Sequence, residues 1–175
     1  EILTCDWSSD VCSSDLDKIL LISNTGLIKL LDGFAFNATT ATIAFEQIAF
    51  PHMVGFVPIS KELTHLALIT SAGYGKMIEL DDVLKSTKSK IINLPADDKL
   101  AGVVPIYGKK DGLIVMAAND RMYYTKLEEF PILKRQALGN RIIKVDPGTI
   151  QHAFLMTGPA DYIMIYDDSV YQTWW

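Results

Sequence analysis

Seven basic side chains fall into two groups, Lys85, Lys88 and Lys90, then Lys134, Arg135, Arg141 and Lys144. Cations gathered in this way suit a polyanion, because each neutralised phosphate releases a counterion and adds a salt-dependent, entropic gain. Lys76 and Arg121 stand at the edges of predicted turns and join the set as second choices. From Lys76 to Lys144 the chain holds 13 Lys and Arg against 9 Asp and Glu, while both flanks are acidic. A solvated loop face is the competing explanation, since most Lys-rich turns are nothing more.

Other chemistry lacks the spacing it needs. His52, His65 and His152 are far apart and have no neighbouring cysteine, so no zinc site is expected. The pairs Asp81-Asp82, Asp97-Asp98, Glu128-Glu129 and Asp167-Asp168 each fall in a predicted turn, where solvation and local hydrogen bonding account for them. General acid–base catalysis would require one member to be buried. Tyr123 and Tyr124 follow Arg121-Met122 in a predicted strand, where aromatic packing is the expected role. No catalytic residue and no metal ligand is assigned.

The elements that position the cations recur. An apolar run ending in a small-residue turn occupies residues 19–26, 66–73 and 114–120, and the turn positions Gly26, Gly73 and Asp120 are spaced by 47 each time. Val57-Pro58-Ile59 returns as Val104-Pro105-Ile106 at the same interval. A weaker fourth copy runs from Tyr162 to Tyr171, with Ile163, Met164 and Ile165 leading into Asp167, Asp168 and Ser169. Repeats of this length, built from short apolar strands and polar turns, indicate a propeller-like all-β array with one four-stranded blade per repeat. Blades are expected near residues 18–65, 66–112, 113–161 and, in part, 162–175, giving about three to four in an incomplete array.

Each period opens with a hairpin. Residues 66–70 and 114–118 read as strands buried on both faces, paired with 77–80 and 122–127 across turns at Ala72-Gly73 and Asn119-Asp120. Residues 81–84 and 128–130 have room for a helical turn. A third strand is expected at 91–94 and 142–145, and a fourth at 102–106 and 153–157. The basic groups follow the hairpin at matching places in the period, which puts them on one rim.

Residues 1–16 are set aside. The stretch 6–16, DWSSDVCSSDL, reads as the translation of a sequencing-library adapter, with a disordered Ser/Asp-rich linker as the alternative. Both cysteines, Cys5 and Cys12, lie there, so neither a disulfide framework nor a redox compartment can be inferred. Residues 1–16 also hold four acids and no base, which leaves 17 acids against 16 bases in 17–175. That remainder is long enough for a core, and no apolar run approaches the roughly 20 residues of a membrane span. No membrane partner is expected.

Order and spacing together carry a family resemblance. Ser71–Gly75 (SAGYG), then Asp81–Leu84 (DDVL), then Lys90–Pro95 (KIINLP) resemble a blade of the C-terminal domain of the bacterial topoisomerase IV A subunit. Leu127–Pro131 (LEEFP) and Gly139–Ile143 (GNRII) resemble the blade that follows. The resemblance is strongest over residues 66–145 and poor in the final copy. It implies a β-pinwheel, a propeller-like array with exchanged strands, whose basic outer surface binds and bends duplex DNA and presents it to a separate cleavage core. It further implies a cytoplasmic, nucleoid-associated protein that does no chemistry in this segment, with ATP and Mg²⁺ used by other domains and by an ATPase subunit. The Gln-Arg-Arg-Gly-Gly-Lys-Gly box of gyrase does not occur here, which favours topoisomerase IV, with a divergent gyrase domain as an alternative. A propeller-type protein-interaction scaffold without DNA affinity is the rival from a different class. It accounts for the repeat and the near-neutral charge, but not for the recurrence of the cations.

Overall fold

The computed structural model describes residues 18–32, 52–85, 89–108, 112–118, 121–156, 162–166 and 169–173, the last two segments as backbone. The cysteines, Lys88, the turns at 119–120 and 167–168, and residues 1–16 lie outside the described residues.

Among the described residues four antiparallel hairpins follow one another. β1 (Lys18–Ser23) pairs with β2 (Ile28–Asp32), β4 (Leu63–Thr70) with β5 (Tyr74–Glu79), β7 (Leu113–Ala118) with β8 (Arg121–Lys126), and β11 (Tyr162–Tyr166) with β12 (Ser169–Thr173). The first strands of the first three hairpins each gain a partner on their free edge: β3 (Met53–Pro58) on β1, β6 (Leu100–Tyr107) on β4, and β10 (His152–Met156) on β7. β6 in turn packs against both β3 and β10, so these added strands line one side of the array.

Burial on two faces explains why the hairpin strands lack the polar–apolar alternation of a one-sided sheet. On β4, Leu66 and Leu68 enter a core shared with Leu20, Ile22 and Val57 of the preceding blade. Ala67 and Ile69 enter a second core, with Ile114 and Met116 of the following blade. One strand thus serves two interfaces, as stacked repeats require. The expected helical turns form as α1 (Leu80–Leu84) and as a 3₁₀ turn at Leu127–Glu129.

The third strands depart from expectation. Residues 91–94 form no strand, and the pairing near 142–145 is confined to β9 (Asn140–Arg141), which adds to the outer edge of β5 to give the sheet order β6-β4-β5-β9. The reason lies in the hairpin tip. Gly73, at φ +82°, offers its carbonyl to the amides of Ile142 (2.9 Å) and Ile143 (3.1 Å) as that segment crosses over it. Gly26, at φ +77° and 47 positions earlier, does the same for Ile91 (2.9 Å), and a Cβ there would sit 2.7 Å from Ile92 Cγ2. The double-Ile segments therefore satisfy their backbones across the preceding hairpin instead of in a ladder of their own. Only glycine allows both the left-handed turn and that crossing; the accepting glycines are 47 apart, and the residues that cross them, Ile91 and Ile142, are 51 apart.

Candidate nucleic-acid interface

The incoming segments deliver cations to the outer edges of the blades. Lys90 pairs opposite Leu27 on the first hairpin and Arg141 pairs opposite Tyr74 on the second. Leu27 and Tyr74 are themselves 47 apart, so two blades receive a basic residue at the same place. Lys90, Arg141 and Lys144 are all exposed. The Arg141 guanidinium lies 5.7 Å from the centroid of the Tyr74 ring and donates through Nη2 to the Val145 carbonyl at 2.8 Å. Those contacts hold its direction while leaving other donors outward. Arg121, at the start of β8, is also exposed.

Lys85, Lys134 and Arg135 converge on α1. Burial of Leu80 and Val83 seats this short helix, and its first turn carries Asp81 and Asp82. Lys85 Nζ meets Asp81 Oδ2 at 2.6 Å, and Lys134 Nζ, from the next repeat, meets Asp82 Oδ2 at 2.8 Å. Hydrogen bonds to these carboxylates hold both ammonium groups above the ordinary lysine range. Arg135 turns inward: Nη1 donates to the Val83 carbonyl at 2.8 Å and Nη2 to the Lys90 carbonyl at 2.9 Å. Partial burial lowers its affinity for the proton.

Lys76 is a correction to the predicted surface set. Its side chain is fully buried, and Nζ donates to the carbonyls of Ile91 and Lys134, both at 3.1 Å. Burial, with the Arg135 charge adding to it, pushes its pKa down to about 8. Lys76 and Arg135 thus hold the incoming segments against the second blade and are withdrawn from the solvent-facing set.

Three further expectations change. Asp98 is buried instead of solvated, and its Oδ1 accepts from Ser71 Oγ (2.7 Å), Lys99 N (2.8 Å) and Ala72 N (3.0 Å), pinning the second hairpin tip. Tyr124 does not pack: it is 76% exposed, although Tyr123 rests against the second core. Asp82, 29% exposed, is drawn into an ion pair with Lys134 of the next repeat, whereas Asp81, 72% exposed and bonded to the nearby Lys85, keeps the solvated, local role expected of it. The i, i+4 spacing of Asp81 and Lys85 was the available signal for one of those pairs. Nothing in the sequence pointed to Asp82 with Lys134. Among the described residues, no three His, Cys, Asp or Glu side chains gather where they could hold a metal ion.

Double-faced hairpins, added strands on one side, and segments exchanged across glycine tips define a β-pinwheel, the strand-swapped form of the β-propeller. Residues 64–106 and 113–155 each match the family model described as DNA gyrase C-terminal domain, beta-propeller, each match covering one hairpin with its added strand. These two stretches are thus similar to repeats of that family.

Solved structures agree on the fold. The C-terminal domain of DNA topoisomerase IV superposes with a TM-score of 0.66 at 18% identity, over 93% of this chain and 54% of that one. The E. coli ParC C-terminal domain gives 0.63 at 16%, over 91% and 70%. A DNA gyrase A C-terminal domain gives 0.64 at 14%, over 89% and 57%. The chain thus spans about half the length of the first of these domains. No curated protein sequence matches it.

Proposed function

We propose that this chain binds duplex DNA without catalysing a reaction, through phosphate contacts made by Lys90, Arg141 and Lys144, with Arg121 adding to them. The observation that carries the proposal is the repeated placement of a cation on the blade edge, Lys90 opposite Leu27 and Arg141 opposite Tyr74. Backbone contacts of this kind position a duplex without reading its sequence. The wider role is that of the C-terminal domain of a topoisomerase IV A subunit. It bends DNA and presents it to a separate cleavage core during ATP-dependent decatenation and supercoil relaxation in the cytoplasm. Preference for topoisomerase IV over gyrase rests on the lack of the Gln-Arg-Arg-Gly-Gly-Lys-Gly box together with the residue patterns at 71–75, 81–84 and 90–95, since the TM-scores of 0.66 and 0.64 do not separate the two.

The test is a fluorescence-anisotropy titration of the chain against a labelled duplex of about 40 base pairs across a salt series, with circular dichroism on the same sample. The proposal expects log affinity to fall linearly with log salt, at roughly −0.9 per phosphate contact. A folded chain that binds nothing at low salt would replace it with the interaction scaffold.

A further inference from the structure

We propose that Asp81 and Asp82 serve as a built-in stand-in for DNA phosphate, holding Lys85 and Lys134 in ion pairs that a duplex must break before it can use either cation. The proposal rests on the DNA-binding reading above and concerns how that surface is regulated.

The pair between Asp82 and Lys134 joins two repeats, and the backbone on both sides of it is fixed. Burial of Leu80 and Val83 seats α1. Lys76 Nζ bonds the Lys134 carbonyl, and the Arg135 fork bonds the carbonyls of Val83 and Lys90. Acid and base are therefore brought together by the fold, not by a chance meeting of two long side chains. The partners differ in access: the Asp82 side chain is 29% exposed and Lys134 is 78% exposed. The carboxylate is the anchored member and the ammonium faces solvent, where a phosphate could reach it. Asp81 and Lys85 are both well exposed and make the weaker, more readily exchanged pair. Glu79 adds to the negative field on both lysines, and Arg135 draws on Asp82 as well.

Exchange of partners has a consequence for salt dependence. When a phosphate takes a lysine from its carboxylate, the phosphate releases a condensed cation and the freed carboxylate attracts one from solution. The net release is close to nil, so neither lysine steepens the salt dependence while its aspartate is present.

The experiment uses the whole chain and the labelled duplex of about 40 base pairs. Asp81→Asn with Asp82→Asn keeps the side-chain shape and removes the competing charges. It is expected to tighten binding about tenfold at 0.1 M salt and to steepen the log–log slope by up to about 1.8, two contacts at roughly 0.9 each. Adding Lys85→Gln and Lys134→Gln to that variant should return slope and affinity to wild-type values. A gain that survives loss of the lysines would mean that net charge alone is responsible, and would overturn the proposal. So would a double-Asn variant that matches wild type. Asp82→Asn alone, expected to give about half of the slope change, keeps the test decisive if the double variant folds poorly. If the wild-type chain and the double-Asn variant both bind no duplex at any salt, the DNA-binding reading itself falls, and this inference with it.

Discussion

Replacing Lys76 with methionine removes the one cation among the described residues that is completely buried, and should change how stability depends on pH. In the folded chain the Lys76 amine loses its proton near pH 8, whereas the ordinary value is 10.5. Below pH 8 both folded and unfolded chains carry the charge, and the folded chain bears the full cost of burying it. Between about pH 8 and 10.5 the unfolded chain still holds the proton and the folded chain has released it, so stability rises with pH in that window. The full drop corresponds to about 3 kcal/mol, an upper bound because a buried site relaxes around its charge. Methionine escapes that cost but leaves the carbonyls of Ile91 and Lys134 without their donor, at about 1–3 kcal/mol each. The two effects nearly cancel at pH 7, where the variant should lie within about 2 kcal/mol of wild type. At pH 10 the neutral amine of wild type still donates both hydrogen bonds, and the variant should fall behind by about 2–3 kcal/mol more than at pH 7. Urea unfolding of both proteins at pH 7, 8, 9 and 10 measures this double difference, from which other titrating groups drop out. Parallel pH profiles would refute the account of Lys76 as a buried, charge-strained staple.

Two further outcomes follow from the hairpins. Gly73→Ala forces an L residue to φ +82° and drives its Cβ into the Ile143 carbonyl, whereas Gly148, at φ +83°, has nothing within 4 Å of the added carbon. Gly148→Ala should cost about 1 kcal/mol and Gly73→Ala clearly more, about 3 kcal/mol, by chemical denaturation; equal losses would deny the crossing at the tip. Among the described residues β8 has no strand on its outer edge, and its Met122 and Tyr124 are exposed where their counterparts Gly75 and Met77 on β5 are buried. Tyr124→Lys should therefore leave stability within about 0.5 kcal/mol and reduce concentration-dependent self-association in sedimentation velocity, while unchanged association would clear this edge of blame.

The hairpins were legible because their chemistry is local. Doubly buried strands give unbroken apolar runs such as residues 66–70, and a left-handed tip demands a residue such as Gly26 or Gly73, so 47-residue spacing could be read directly. Strand exchange was not legible in the residues themselves. The double-Ile segments at 91–92 and 142–143 have the same pattern whether they ladder within their own blade or cross the one before, and only the family resemblance suggested the second. The cations divided along the same line. Lys90 and Arg141 emerge on the outer edge because exchange carries them there. Lys76 and Arg135 turn inward because crossing backbones present them with carbonyls, Ile91 and Lys134 to one and Val83 and Lys90 to the other. Lys134 meets Asp82 through packing between repeats, and no short-range spacing encodes that pair.

The central claim is that exchanged strands carry cations to the blade edges and that these cations hold DNA. Its most direct test compares the salt dependence of duplex binding for wild type and for the double variant Lys90→Gln, Arg141→Gln, with folding checked by circular dichroism. Loss of two phosphate contacts should flatten the log–log slope by about 1.8 and weaken binding to all duplex sequences alike. A folded double variant with the slope and affinity of wild type would contradict the account.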